Sequence, residues 1–110
     1  MKPEAKKFII DIFQSIELLE SYHLKFHSFK EFEKDFLAKD AVERRLAIIG
    51  EALNKAYEID NSIHITNLRR IISLRNILVH DYDLIDSPII WKILENDLPV
   101  LKKEIEELLK

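Results

Sequence analysis

The chain has 110 residues, enough for one compact core and too few for two. With 47% hydrophobic and 34% charged residues, it reads as a folded globular chain rather than a disordered one. A formal charge of −3 argues against a surface coated for non-specific nucleic-acid binding, but leaves room for a local basic cleft.

The sequence has no Cys, which removes disulfides, a thiolate nucleophile and Cys-based zinc sites. Its single glycine, Gly50, cannot build a phosphate-cradling loop, since such loops need backbone to approach phosphate at several points. No apolar run approaches the ~20 residues that span a bilayer. Asp11 and Gln14 interrupt any candidate signal segment. The expectation is a cytoplasmic protein with no membrane partner, occupying residues 1–110 as a single helical domain.

Pro3 suits the first turn of a helix whose buried face is Ile9, Ile12, Phe13 and Ile16. Ser28 and Glu31 have capping-box spacing, which predicts a short helix near Phe29, with Phe29, Phe32 and Phe36 under the bundle. The next helix is expected over residues 39–57. Its main stripe is Val42, Leu46, Ile49, Leu53 and Ala56, and Ala41, Ile48 and Ala52 form a smaller second stripe. Gly50 in that helix implies a neighbour at close range. After the polar Asp60-Asn61-Ser62 turn, Thr66 or Asn67 is placed to cap a further helix. Ser87 is placed to cap the last, with Pro88 in its first turn. Pro99 then predicts either a kink or a resumed helix capped by Asp97. The fold class is all-α: an up-and-down four-helix bundle with an extra short helix.

The helix expected near residues 68–82 carries an anomaly. Leu68, Ile71, Ile72, Leu78 and Val79 form a broad apolar arc, and Arg75 falls in its middle. A cation there needs a partner or a wet cleft. An ion pair, for example with Asp97, or snorkelling of the long side chain also accounts for it. His80 lies roughly 140° from Arg75 on the wheel, beside its i,i+4 neighbour Asn76. His23 and His27 have the spacing of two metal ligands, but no third ligand is evident, and no metal or cofactor is expected.

The stretch Arg75-Asn76-Ile77-Leu78-Val79-His80-Asp81-Tyr82 has the form R-x-x-x-x-H-x-Y and resembles the HepT branch of the HEPN superfamily. Ala41-Val42-Glu43-Arg44-Arg45-Leu46 and Ile49-Gly50-Glu51-Ala52 resemble the family's second-helix signature, and Trp91 with Asp97-Leu98-Pro99 its last-helix signature. One departure is Ala47, where an acidic residue is expected to be common. The resemblance implies a HEPN-like, homodimer-forming bundle with motif helices meeting across the two-fold axis. It also implies metal-independent endoribonuclease activity, as the toxin of a type VII toxin–antitoxin system. An MntA-type nucleotidyltransferase antitoxin would silence it by adenylylating Tyr82, in a higher hetero-oligomer.

The chemistry is consistent with that implication. Attack by a ribose 2′-OH needs proton transfer, which suits histidine, and a fixed cation near the phosphorane, which suits arginine. His80 and Arg75 are therefore the catalytic candidates, with Asn76 and Asp81 supporting. Arg69 and Arg70 are candidates for an RNA path, although ordinary solvated charge explains them equally well. Glu51 lies away from its helix's main stripe, as an exposed residue or as a helper at the site or dimer. The alternative function is a non-catalytic substrate- or partner-binding subunit of a two-component nucleotidyltransferase.

Overall fold

The computed structural model describes residues 1–80 and 86–110. In chain order its elements are α1 (Pro3–His23), α2 (Phe29–Lys34), α3 (Phe36–Ile59), α4 (Leu68–His80), α5 (Ser87–Lys92), a π-helical turn (Ile93–Asp97) and α6 (Leu98–Leu109). There is no strand among the described residues, so the expected all-α class holds.

The buried faces follow the sequence period. Ile9, Ile12 and Ile16 of α1 meet Val42, Leu46, Ile49, Leu53 and Ala56 of α3 in one core, joined from the C-terminal side by Leu98, Leu101 and Ile105. Each Ile, Leu or Val side chain among them contributes about 1.5–3 kcal/mol on burial. α1 packs against α3 and α6, and α3 against α4. Cross-links fix the up-and-down order: the Lys2 N–H donates to Asp60, Lys102 to Glu20, and Arg70 to Asp97.

Several boundaries differ from expectation for local reasons. α3 begins three residues early because the Asp35 carboxylate accepts the Ala38 N–H at 3.0 Å and caps it. That cap separates Phe36 from α2, so Phe36 stands 74% exposed with the Lys39 ammonium over its ring, while Phe32 is buried beside Trp91. At α2 the capping box is half formed: Ser28 accepts from the Glu31 N–H, but Glu31 accepts from His27. Ser87 is the first residue of α5 and not its cap; Asp86 holds the cap position without a side-chain bond. Before α4, Asn67 adopts a left-handed φ of 64°, which asparagine tolerates, and its carbonyl accepts the Ile71 N–H. Thr66 instead gives its N–H and hydroxyl to Glu104.

Pro99 is accommodated by a third route. It cannot donate an N–H and crowds the preceding turn. The helix widens into the π turn just upstream, closed by the Leu98 N–H on the Ile93 carbonyl, and Pro99 falls in the first turn of α6. Asp97 stays helical and does not cap; its carboxylate pairs with Arg70 at 2.7 Å.

Asp60 anchors the N-terminus. Its carboxylate accepts from the Ser62 hydroxyl, the Lys2 N–H and the Ser62 N–H, and these bonds lower its pKa from 3.8 to about 2. A folded pKa below the unfolded one means the ionised form favours the folded chain. That stabilisation is full above the unfolded pKa and disappears as pH falls towards 2. Asp60→Asn is therefore expected to lower the urea midpoint at pH 7 and to flatten its fall between pH 5 and pH 2. Parallel pH profiles for the two proteins would contradict this.

Candidate active site

α4 is positioned by one close crossing. A Cβ on Gly50 would overlap the Cβ of Arg75 and lie 3.1 Å from its Cγ and 3.2 Å from the Ile71 carbonyl oxygen. The expectation that Gly50 admits a neighbouring helix is thus met, and the residue admitted is Arg75 itself.

Beyond the crossing, the Arg75 guanidinium emerges into a cleft of about 370 Å³ between α1, α3 and α4. Its Nη2 lies 2.8 Å from Glu51 Oε2, and Nη1 donates to Asn76 Oδ1 at 3.0 Å. The ion-pair reading of Arg75 therefore holds in kind but with Glu51 in place of Asp97, which is taken by Arg70. The sequence contains a signal for this partner. Glu51 follows directly on Gly50, so a long polar side chain of α4 crossing there has its carboxylate within reach. A wheel of α4 alone cannot show this, because the pair depends on where two helices cross. Asn76 orients Arg75 rather than His80.

The pair leaves Arg75 usable. Its side chain is 26% exposed and that of Glu51 39%, and Lys55 shares the carboxylate at 3.7 Å. Pairs in this setting are worth about 0.2–1 kcal/mol, less than a bidentate contact to a doubly anionic phosphorane. Glu51 thus fixes the guanidinium's direction and leaves part of it open to the cleft.

His80 is the last residue of α4 and is exposed. Arg69 lies 6.0 Å from the centroid of the Tyr57 ring, and Arg70 is bound to Asp97, so each already has an intrachain partner. Asp81 and Tyr82 lie outside the described residues. No group of three or more His, Asp or Glu side chains among the described residues is arranged to hold a metal ion. No helix among them is long and apolar enough to cross a membrane.

Sequence comparisons identify the family. Residues 12–108 match the family described as ribonuclease HepT-like. A protein of Methanocaldococcus jannaschii named as a candidate RNase is 36% identical over 107 residues, covering 96% of each chain. A Thermococcus cleftensis protein named probable ribonuclease HepT is 33% identical over 111 residues, covering 100% of each. A second M. jannaschii protein, named as a gamma-glutamylcyclotransferase and candidate RNase, is 32% identical, and the chain spans 50% of its length. No solved structure matches the chain. A family match over nearly the whole sequence, on a helical bundle carrying Arg75 and His80 on one helix, leads to one conclusion: the chain belongs to the HepT-like ribonuclease family and is an endoribonuclease of the HEPN type.

Proposed function

We propose that the protein is the toxin of a type VII toxin–antitoxin pair, cleaving RNA without metal through Arg75 and His80. The observation that carries this reading is the fixed guanidinium of Arg75, aimed by Glu51 and Asn76 into an open cleft, with His80 exposed at the end of the same helix.

In the proposed mechanism, His80 takes the proton of a ribose 2′-OH as the oxygen attacks phosphorus. Arg75 holds the non-bridging oxygens as charge builds on the phosphorane. The leaving 5′-oxygen takes a proton from a second acid on the opposite side, and the products carry a 2′,3′-cyclic phosphate and a 5′-OH. One imidazole cannot serve both sides at once, and a symmetric dimer supplies the partner subunit's His80.

Burial supports such a dimer. None of the residues of α4 is buried within the chain, and Val79 is 49% exposed. An apolar cleft of about 230 Å³, lined by Ile71, Leu74, Ile77, Ile89 and Ile93 among others, runs beside the helix. A second copy lying on α4 would cover this surface and bring two motifs together. Asp81 completes the motif as a supporting residue. Arg69 and Arg70, held by partners of their own, take a smaller share in guiding RNA.

Tyr82, two residues beyond His80, is the proposed control point. An adenylate attached there by an MntA-type nucleotidyltransferase adds bulk and negative charge beside the motif, and competes with RNA for Arg75. This places the protein in the cytoplasm with its antitoxin, in a hetero-oligomer.

Expression of the protein alone is expected to arrest growth, and His80→Ala to relieve the arrest. Co-expression of the nucleotidyltransferase should restore growth for the wild type but not for Tyr82→Phe. Harmless expression of unmodified wild-type protein would instead favour the binding-subunit function.

A further inference from the structure

Arg75 occupies only one corner of its cleft. α3 sends Arg44, Glu51 and Lys55 into the same space; at these spacings they fall within an arc of roughly 40° around the helix. Phe8 and Asp11 of α1 close one side, and Arg75 and Val79 of α4 close the other.

Of the charges here, Glu51 is already matched by Arg75 and Lys55. Arg44 has no ion pair among the described residues and is exposed. The Lys55 ammonium sits 5.9 Å from the Phe8 ring centroid, and the Lys7 ammonium 5.3 Å from it, which adds a further cation at the rim. On the opposite flank, Arg70 is neutralised by Asp97 and Arg69 rests on Tyr57. Arg44, Lys55 and Arg75 thus outnumber the carboxylates of Asp11 and Glu51 in the cleft, and with Lys7 at the rim the excess of positive charge beside Arg75 lies on the α1–α3 side, within a chain whose net charge is −3.

Position along α3 adds to this. Arg75 meets the helix at Gly50. Arg44 lies about 9 Å of helix rise to one side of that point and Lys55 about 7.5 Å to the other. Those distances suit the neighbouring phosphates of an extended strand whose central phosphate sits on Arg75.

We propose that the α1–α3 side of the cleft binds the phosphodiester backbone of single-stranded RNA, with Arg44 and Lys55 holding the phosphates that flank the scissile one. The inference rests on the ribonuclease reading and adds the substrate's path to it. Contacts of this kind read the backbone and not the bases, so they give salt-sensitive affinity with little sequence preference.

The test uses a fluorescein-labelled 2′-O-methyl oligoribonucleotide, which has no free 2′-OH and stays intact. Its Kd is measured by anisotropy across a salt series, beside cleavage of the unmodified RNA. Arg44→Gln/Lys55→Gln should raise Kd at least about tenfold and cut the slope of log Kd against log salt by roughly 1.4, two contacts at ~0.7 each. Arg44→Lys/Lys55→Arg, which keeps both charges, should restore binding. Lys30→Gln/Lys34→Gln, the same charge change on α2, should leave Kd and slope alone. Wild-type cleavage with an unchanged Kd and slope in the Arg44/Lys55 double variant overturns this inference alone. Equal weakening by the α2 double variant overturns it as well, by showing only a general charge effect. A wild type that neither binds nor cleaves RNA overturns the ribonuclease reading and the inference together.

Discussion

His80→Ala is expected to lower single-turnover RNA cleavage by about 10²–10⁴-fold, the range that positioned proton transfer contributes. The loss should fall on the chemical step, with RNA affinity nearly unchanged, because an exposed imidazole at the end of α4 adds little to binding or to folding. Thermal stability should stay within about 0.5 kcal/mol of wild type, as for most exposed substitutions. Arg75→Ala removes a different contribution, stabilisation of the charged phosphorane, worth about 10²–10³-fold. It also leaves Glu51 facing the phosphate with only Lys55 to offset it. The two residues act on one transition state, so the double variant should be little slower than the worse single one. A His80→Ala protein that cleaves within threefold of wild type would remove His80 from the mechanism.

Gly50→Ala is the second large effect, and it acts at the helix crossing. In most exposed helical positions this change stabilises by about 1 kcal/mol through helix propensity. Here the new Cβ would overlap the Arg75 Cβ, and the Ile71 carbonyl 3.2 Å away is backbone. Neither can move aside by a rotamer change, so α4 must shift away from α3. Overpacking of this kind costs about 1–3 kcal/mol, which exceeds the propensity gain. The shift would also carry Arg75 away from Glu51, and a misplacement near 1 Å at a catalytic group costs about 10²-fold in rate. The expected result is a lower melting temperature together with a cleavage defect approaching that of Arg75→Ala. A Gly50→Ala protein more stable than wild type and fully active would mean that α4 does not pack at this point.

The residues that govern these predictions differ in how far the sequence reveals them. The period of Ile9, Ile12 and Ile16, and the stripe from Val42 to Ala56, identify the core faces directly, because burial on a helix repeats with its turn. Gly50 was legible for a similar reason: a lone glycine inside a strong helical pattern implies a close neighbour. The partner of Arg75 is legible only through Gly50, whose place beside Glu51 marks the crossing; the face of α4 alone does not give it, since ion pairs between helices depend on the crossing point. Asp97, the other acidic candidate, lies at the end of the π turn before Pro99 and is bound to Arg70. Phe36 misled for a local reason, because the aspartate before it starts a new helix. The chemical types at positions 75 and 80 were plain in the sequence. The cleft joining Arg75 to Arg44 and Lys55 required three helices to be placed together.

The central claim is metal-free cleavage by Arg75 and His80, and one experiment addresses it most directly. Purified protein, with Tyr82 shown by mass spectrometry to be unmodified, is incubated with end-labelled RNA in excess EDTA beside His80→Ala. The account predicts cleavage by the wild type alone, with 2′,3′-cyclic phosphate and 5′-OH ends. Cleavage that stops in EDTA, or that persists at the same rate in His80→Ala, would contradict it.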